Sequence, residues 1–140
     1  MSGLAMEEVI VGVMTPRSVL LVEDNDALRG LVADTLRNAG FSVRSLPLAA
    51  QTFDELRVST PDVIVLDLGM PHGSLQGTEV LAQLHDDEVG RDIPVIIVSG
   101  LGDLVNADVA RRLGVKAILT KPLISLDDLI TTIRRIDVSP

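Results

Sequence analysis

Short apolar runs alternate with longer segments of helical periodicity along the chain from Ser18 onward. The runs are mostly continuous rather than alternating in hydrophobicity, which is typical of parallel strands that are covered on both faces. They predict five strands, at Val19–Val22, Phe41–Arg44, Val63–Leu66, Pro94–Val98 and Val115–Leu119.

The segments between these runs predict crossover helices. The first has apolar residues at helical spacing from Leu28 to Ala39 and stops at Gly40, which tolerates the left-handed conformation of many helix ends. The fifth is predicted to start at Ser125, whose hydroxyl can form a cap together with Asp128. The other three are predicted near Leu48–Val58, Gly77–His85 and Leu104–Leu113.

Five strand–helix units predict the fold class. Right-handed crossovers favour a single-domain α/β fold of the flavodoxin-like (βα)5 type, with a doubly wound parallel sheet in the order 2-1-3-4-5. Residues 1–17 fit no repeat of the pattern and are predicted to form a flexible tail. Residues 18–140 are predicted to form the domain.

Length and composition narrow the class of protein. A chain of 140 residues makes one domain. The net charge of −8 and the presence of only two aromatic residues, Phe41 and Phe53, argue against direct binding of nucleic acid. No segment is apolar for the ~20 residues that a membrane-spanning helix needs, and no basic stretch precedes Arg17, so we expect no membrane insertion and a cytoplasmic location.

Acidic residues follow two strands that the predicted order places side by side. Glu23 and Asp24 come directly after the first strand, and Asp67 comes directly after the third. Ligands of open parallel sheets bind outside the carboxyl ends of the strands, where the strand order reverses, so we expect the three carboxylates in one pocket. Two like charges about 5 Å apart repel by roughly 3 kcal/mol at an effective dielectric of about 20, so the trio needs protons or a cation. Oxygen ligands without His or Cys suit Mg²⁺.

Two further polar residues end the remaining strands at this edge of the sheet. Ser99 follows the fourth strand and offers a hydroxyl donor, while Lys121 follows the fifth and offers an ammonium group. Both groups can hold oxygens of a phosphoryl group. The five side chains together predict a site for phosphoryl transfer.

The order of these residues resembles that of the receiver domain of two-component response regulators, over nearly all of Ser18–Ile136. The matching features are an acidic pair, an Asp after the third strand, a Ser before a small residue, and Lys-Pro. The resemblance implies that Asp67 accepts the phosphoryl group. It also implies that Asp24 binds Mg²⁺ directly, that Glu23 acts mainly through a bound water, and that the backbone carbonyl of Gly69 supplies another metal ligand.

The resemblance also implies a reaction and its partners. Asp67 would attack a phosphohistidine on a sensor histidine kinase or a histidine phosphotransfer protein, while Ser99 and Lys121 contact the phosphoryl oxygens. Catalysis by the chain would be limited to its own phosphorylation and dephosphorylation. No output segment follows Pro140, so we expect a single-domain regulator that acts through contacts with an unidentified downstream protein, or a relay.

Two alternatives stay open at this point. Ile118 stands where the family usually carries Tyr or Phe, which leaves open a receiver-like docking module that never accepts phosphate. The segment Asp24-Asn25-Asp26 resembles the Asp-x-Asp nucleophile motif of haloacid dehalogenase phosphatases, and that function would place the phosphate on Asp24. The short chain argues against the phosphatase, and so does Asp67, which would have no role in it.

Overall fold

The computed structural model describes residues 16–47, 51–67, 77–99, 111–120 and 125–136, apart from the side chains of Thr78, Ser99 and Thr120. Its five strands form one parallel sheet in the order β2-β1-β3-β4-β5, which confirms the predicted fold and topology. The strands are β1 (Ser18–Val22), β2 (Ser42–Leu46), β3 (Val63–Asp67), β4 (Val95–Ser99) and β5 (Val115–Thr120).

Four α-helices are described, with a short 3-10 helix at Gly90–Asp92 ahead of β4. The C-terminal helix is the fifth of the predicted helices, and it has the capping box expected of Ser125 and Asp128. The predicted fourth helix lies outside the described residues except for its last positions, of which Arg111 and Arg112 are helical. The helices are α1 (Asp26–Asn38), α2 (Thr52–Val58), α3 (Gly77–Asp86) and α4 (Leu126–Arg134).

Helices cover both faces of the sheet. Since successive side chains of a strand point to opposite faces, Leu20 and Val22 of β1 pack with α2 and α3, whereas Val19 and Leu21 pack with α1 and α4. This arrangement explains why the strands are continuously apolar in sequence. None of the helices in the described ranges is long and apolar enough to cross a bilayer.

A carboxylate clamps the start of β1. Asp62 Oδ2 accepts hydrogen bonds from the backbone N–H groups of Arg17 (2.8 Å) and Ser18 (3.1 Å), and the Asp62 N–H donates to Ser18 Oγ (2.9 Å). The carbonyl of Arg17 accepts a hydrogen bond from the Ser42 N–H (2.8 Å). Residues 1–15 lie outside the described residues, so the tail and its boundary with the domain stay predictions.

Thr52 offers a stability test in the core. Its side chain is fully buried, and its hydroxyl has no hydrogen-bond partner within the described part of the chain. Because an unsatisfied buried hydroxyl is costly, we expect Thr52→Val to raise the free energy of unfolding by about 1 kcal/mol. Urea unfolding measures the change. The control is Thr35→Val, since the Thr35 hydroxyl donates to the Leu31 carbonyl (2.8 Å) and its removal should give no gain; a loss of stability in Thr52→Val would contradict the expectation.

Candidate metal and phosphoryl-acceptor site

The register of the central strands brings two acidic residues side by side. Val22 of β1 is paired with Leu66 of β3, so Glu23 and Asp67, the residues that follow them, lie at the same level of the sheet. The Glu23 N–H also donates to the Leu46 carbonyl of β2 (3.0 Å), which fixes Glu23 between the two neighbouring strands. The position of both carboxylates is therefore set by backbone pairing.

Three carboxylates meet at the carboxyl ends of β1 and β3, as the sequence predicts. One oxygen from each of Glu23, Asp24 and Asp67 lies within 4.8 Å of the others. Glu23 and Asp67 are buried, with 5% and 4% of their surface exposed, while Asp24 is partly exposed. Asp24 thus forms the side of the cluster that is open to solvent.

The loop that carries Glu23 is held by the first turn of α1. Asn25 uses its backbone N–H to donate to Glu23 Oε2 (3.2 Å) and its side-chain oxygen to cap α1 at the Leu28 N–H (2.9 Å). Arg29 donates from Nη1 to the Glu23 carbonyl (3.0 Å) and forms an ion pair with Asp26 (2.7 Å). These contacts limit the freedom of the Glu23 carboxylate before any ligand binds.

Crowding of the carboxylates changes the protonation of Glu23. The pKa of Glu23 is raised from its ordinary value of 4.5 to about 7, first by burial and second by a hydrogen bond with Asp67. The N–H of Asn25 acts in the opposite direction, while the charge of Asp67 and a hydrogen bond with Asp24 add to the increase. The cluster therefore holds a proton near neutral pH when no cation balances its charge.

The donor set fits a hard divalent cation. All three side chains offer oxygen, and their spacing allows a single ion to contact one oxygen of each. Mg²⁺ prefers such ligands and keeps several waters, one of which a phosphoryl oxygen can replace.

An apolar cavity of about 320 Å³ adjoins the cluster, between α1 and α4. Glu23 and Asp67 line one part of it, and the other described residues of its lining are aliphatic. Leu31, on the α1 side, has 56% of its surface exposed. The aliphatic lining residues are Leu21, Val22, Leu28, Leu31, Val32, Val65, Val98, Leu126 and Leu129.

The other predicted site residues are described only in part. Ser99 ends β4 and its backbone is paired with Thr120 of β5, one residue before Lys121 in sequence. The side chain of Ser99, and the whole of Gly69 and Lys121, lie outside the described residues. Their roles stay predictions.

Sequence reasoning missed the contacts that support the site. It took Asn25 only as part of a possible nucleophile motif, whereas the residue caps α1 and binds Glu23. A signal was available, because Asn directly before a helical segment is a preferred N-cap. Arg29 and the apolar cavity had no comparable signal, since both depend on how α1 packs.

Comparison with known proteins agrees with this geometry. The response regulator receiver domain family matches residues 19–134. The polar-differentiation response regulator DivK of Brucella anthropi is 34% identical over 119 residues, which are 85% of this chain and 94% of that protein. The C4-dicarboxylate transport transcriptional regulatory protein DctD of Pseudomonas aeruginosa is 38% identical over 117 residues, and the match spans 84% of this chain but only 24% of DctD.

Solved structures show the same relation. A response regulator receiver domain protein from Clostridium thermocellum superposes with a TM-score of 0.72 at 25% identity, covering 84% of this chain and 90% of the other. The strand order, the position of the acidic cluster and these relatives agree with one another. The chain belongs to the receiver-domain family of two-component response regulators.

Proposed function

We propose that the chain accepts a phosphoryl group on Asp67 from a phosphohistidine of a sensor histidine kinase or a histidine phosphotransfer protein. The observation that carries this proposal is the position of the Asp67 carboxylate, which is buried at the end of β3 within 4.8 Å of Glu23 and Asp24 oxygens. Burial of one charged carboxylate at this position is costly, and two more beside it require a proton or a cation to balance the charge.

The three carboxylates have different roles in this proposal. Asp67 ends a fully buried strand and supplies the attacking oxygen. Asp24, which is partly exposed, binds the cation directly, and Glu23, held by Asn25, binds it mainly through a water. When bound, Mg²⁺ supplies positive charge that offsets the charge of the transferring group. A bond forms between an Asp67 oxygen and phosphorus as the bond from phosphorus to the histidine nitrogen breaks, and the imidazole leaves with the electron pair.

Ser99 and Lys121 complete the proposed site. Ser99 ends β4, and Lys121 follows β5 in sequence. Asp67 is paired with Val98 and Ser99 with Thr120, so these strands end on the same side of the sheet as Asp67. A hydroxyl and an ammonium at these positions can hold the remaining phosphoryl oxygens. Neither side chain forms a bond to phosphorus.

A small phosphodonor tests the acceptor function without a partner protein. Incubation with acetyl phosphate and Mg²⁺ should add one phosphoryl mass to the intact chain, measured by mass spectrometry. EDTA should suppress the addition, because the crowded carboxylates need the cation to admit a further anion. A phosphoryl mass that appears equally with EDTA, or no added mass with Mg²⁺, would count against the proposal.

The apolar cavity suggests where a phosphodonor protein binds. Asp67 lines this cavity together with Leu28, Leu31 and Leu126, so a protein that brings phosphohistidine to Asp67 covers these leucines. Leu31 is the most exposed large apolar residue of α1, at 56%. Burial of such a side chain favours association by about 1.5 kcal/mol or more.

A charge at Leu31 should slow phosphotransfer from a protein donor but not from a small phosphodonor. We expect Leu31→Asp to lower the rate of transfer from a phosphorylated histidine kinase by about 10-fold or more, because an aspartate replaces apolar contact. Labelling by acetyl phosphate should keep its wild-type rate. The matched control is Val58→Asp, since Val58 is 76% exposed and ends α2 on the other face of the sheet. Equal transfer rates in the two variants, across a panel of kinases, would exclude Leu31 from the contact.

A docking module that never accepts phosphate is the second candidate. Ile118 favours it, since this β5 residue is aliphatic, 37% exposed, and stands where the family usually has an aromatic ring. The acetyl phosphate experiment distinguishes the two functions, because the docking module would stay unlabelled.

A further inference from the structure

A second concavity lies at the opposite end of the sheet from Asp67. Its volume is about 420 Å³, and it joins the start of β5 to the last turn of α4. The start of β5 is paired with the start of β4, whereas Asp67 is the last residue of β3. The described residues that line the concavity are Lys116, Ala117, Thr132, Arg135 and Ile136.

The described residues around the concavity carry a charge opposite to that of the whole chain. The chain has a net charge of −8, with 12 basic and 20 acidic residues. Residues 111–120 and 131–136 nevertheless contain no Asp or Glu and carry five basic residues, namely Arg111, Arg112, Lys116, Arg134 and Arg135. A cationic surface of this kind attracts anions that the rest of the protein repels.

Two of these cations border the concavity and have no ion-pair partner among the described residues. Arg134 has a structural role, because it donates to the Ala39 carbonyl (3.1 Å) and lies over the Phe41 ring, 5.9 Å from its centroid. Lys116 and Arg135 are exposed, and among the described residues neither has a carboxylate within ion-pair distance.

Each cation alone has an ordinary explanation. Arg135 ends α4 and complements the negative end of the helix dipole, while Lys116 lies on an edge strand, where lysine discourages pairing with other strands. Neither explanation requires the two side chains to border one concavity whose other walls are partly apolar.

We propose that this concavity binds a small organic phosphate monoester. A phosphate monoester carries about −1.5 to −2 charges at neutral pH, which matches two cations better than a single carboxylate does. The guanidinium of Arg135 can bind two phosphate oxygens at once, and the ammonium of Lys116 can bind the third.

The remaining walls fit the organic part of such a ligand. Thr132 donates its hydroxyl proton to the Asp128 carbonyl (2.7 Å), so its oxygen is left to accept a hydrogen bond from a ligand hydroxyl. Ala117 and Ile136 provide apolar contact. The volume lies within the range of roughly 300–1,000 Å³ that is typical of small-molecule clefts.

Titration calorimetry of the whole chain tests the proposal, with adenosine 5′-monophosphate as the probe and EDTA present to keep Mg²⁺ from the Asp67 site. We expect saturable binding to one site in the wild type. The double variant Lys116→Gln, Arg135→Gln should bind about 10-fold more weakly or worse, because both charged contacts are lost. Arg57→Gln is the matched control, since Arg57 is a cation of α2 with 82% of its side chain exposed.

Adenosine and inorganic phosphate distinguish the parts of the ligand. Weaker binding of both than of the nucleotide supports recognition of an ester. Binding that survives in the double variant, absent binding in the wild type, or adenosine binding as tight as that of the nucleotide would overturn the site. Inorganic phosphate binding as tightly as the nucleotide would overturn the organic part of the assignment. Thermal unfolding should be the same in the three proteins, and a lower midpoint in the double variant is resolved by testing Lys116→Gln alone.

Discussion

Acetyl phosphate is expected to leave Asp67→Asn unlabelled under conditions that phosphorylate the wild type fully. The amide of asparagine is a far weaker nucleophile than a carboxylate, and the aspartyl ester cannot form on it. The side chains are nearly isosteric, so the buried position at the end of β3 should be kept. Intact mass after incubation with acetyl phosphate and Mg²⁺ measures the result.

Two companion variants make this experiment decisive. Asp26→Asn is the surface control, since the Asp26 side chain is 86% exposed and binds only Arg29 among the described residues. It should be labelled like the wild type. Asp24→Asn tests the phosphatase alternative, in which Asp24 carries the phosphate. Label that persists in Asp67→Asn and disappears in Asp24→Asn would replace the receiver mechanism with the phosphatase one.

Glu23→Gln should change the pH dependence of stability in the metal-free protein. The pKa of Glu23 is raised from 4.5 to about 7 in the folded state, chiefly by burial, so the folded protein holds a proton that the unfolded chain has lost. Stability of the wild type therefore falls as pH rises from 4.5 to about 7, and above that range the ionised Glu23 destabilises the fold. Glutamine has no charge to bury, so the variant should lack this decline.

Urea unfolding in EDTA across this pH range measures the difference between the two proteins. Added Mg²⁺ should reverse the order of stability of the two proteins, because the variant has lost one carboxylate of the site. A ligand at 100 times its dissociation constant stabilises the protein that binds it by about 2.7 kcal/mol. Glu79→Gln is the matched control, since Glu79 is an exposed glutamate in the first turn of α3. Parallel pH profiles for wild type and Glu23→Gln would show that burial of Glu23 has no energetic consequence.

The presence and the order of the strands were the most predictable part of the molecule. Continuous apolar runs identified all five strands, and the strand order then placed Glu23 beside Asp67 without any structural information. The second strand was the least accurate, since it was predicted at Phe41–Arg44 and spans Ser42–Leu46. It lies at the sheet edge, where exposed polar positions such as Ser42 weaken the apolar pattern.

Features made by packing between distant segments could not be predicted. The apolar cavity lies between Leu28 of α1 and Leu126 of α4, which are about a hundred positions apart in sequence. The concavity beside Lys116 likewise depends on where Arg135 ends the last helix. Periodicity identifies which face of a helix is buried, but it does not state how far two helices stand apart.

The clamp at Asp62 has a consequence for the accuracy of assembly. Asp62 holds the backbone of Arg17 and Ser18 at the start of β1. Extended backbone at ~3.3 Å per residue puts Ser18 about 16 Å from Glu23. A slip of one position between β1 and β3 would turn Glu23 toward the opposite layer and remove it from Asp67. The Asp62 side chain, at the other end of the sheet, thus helps to fix the strand register that places Glu23 beside Asp67.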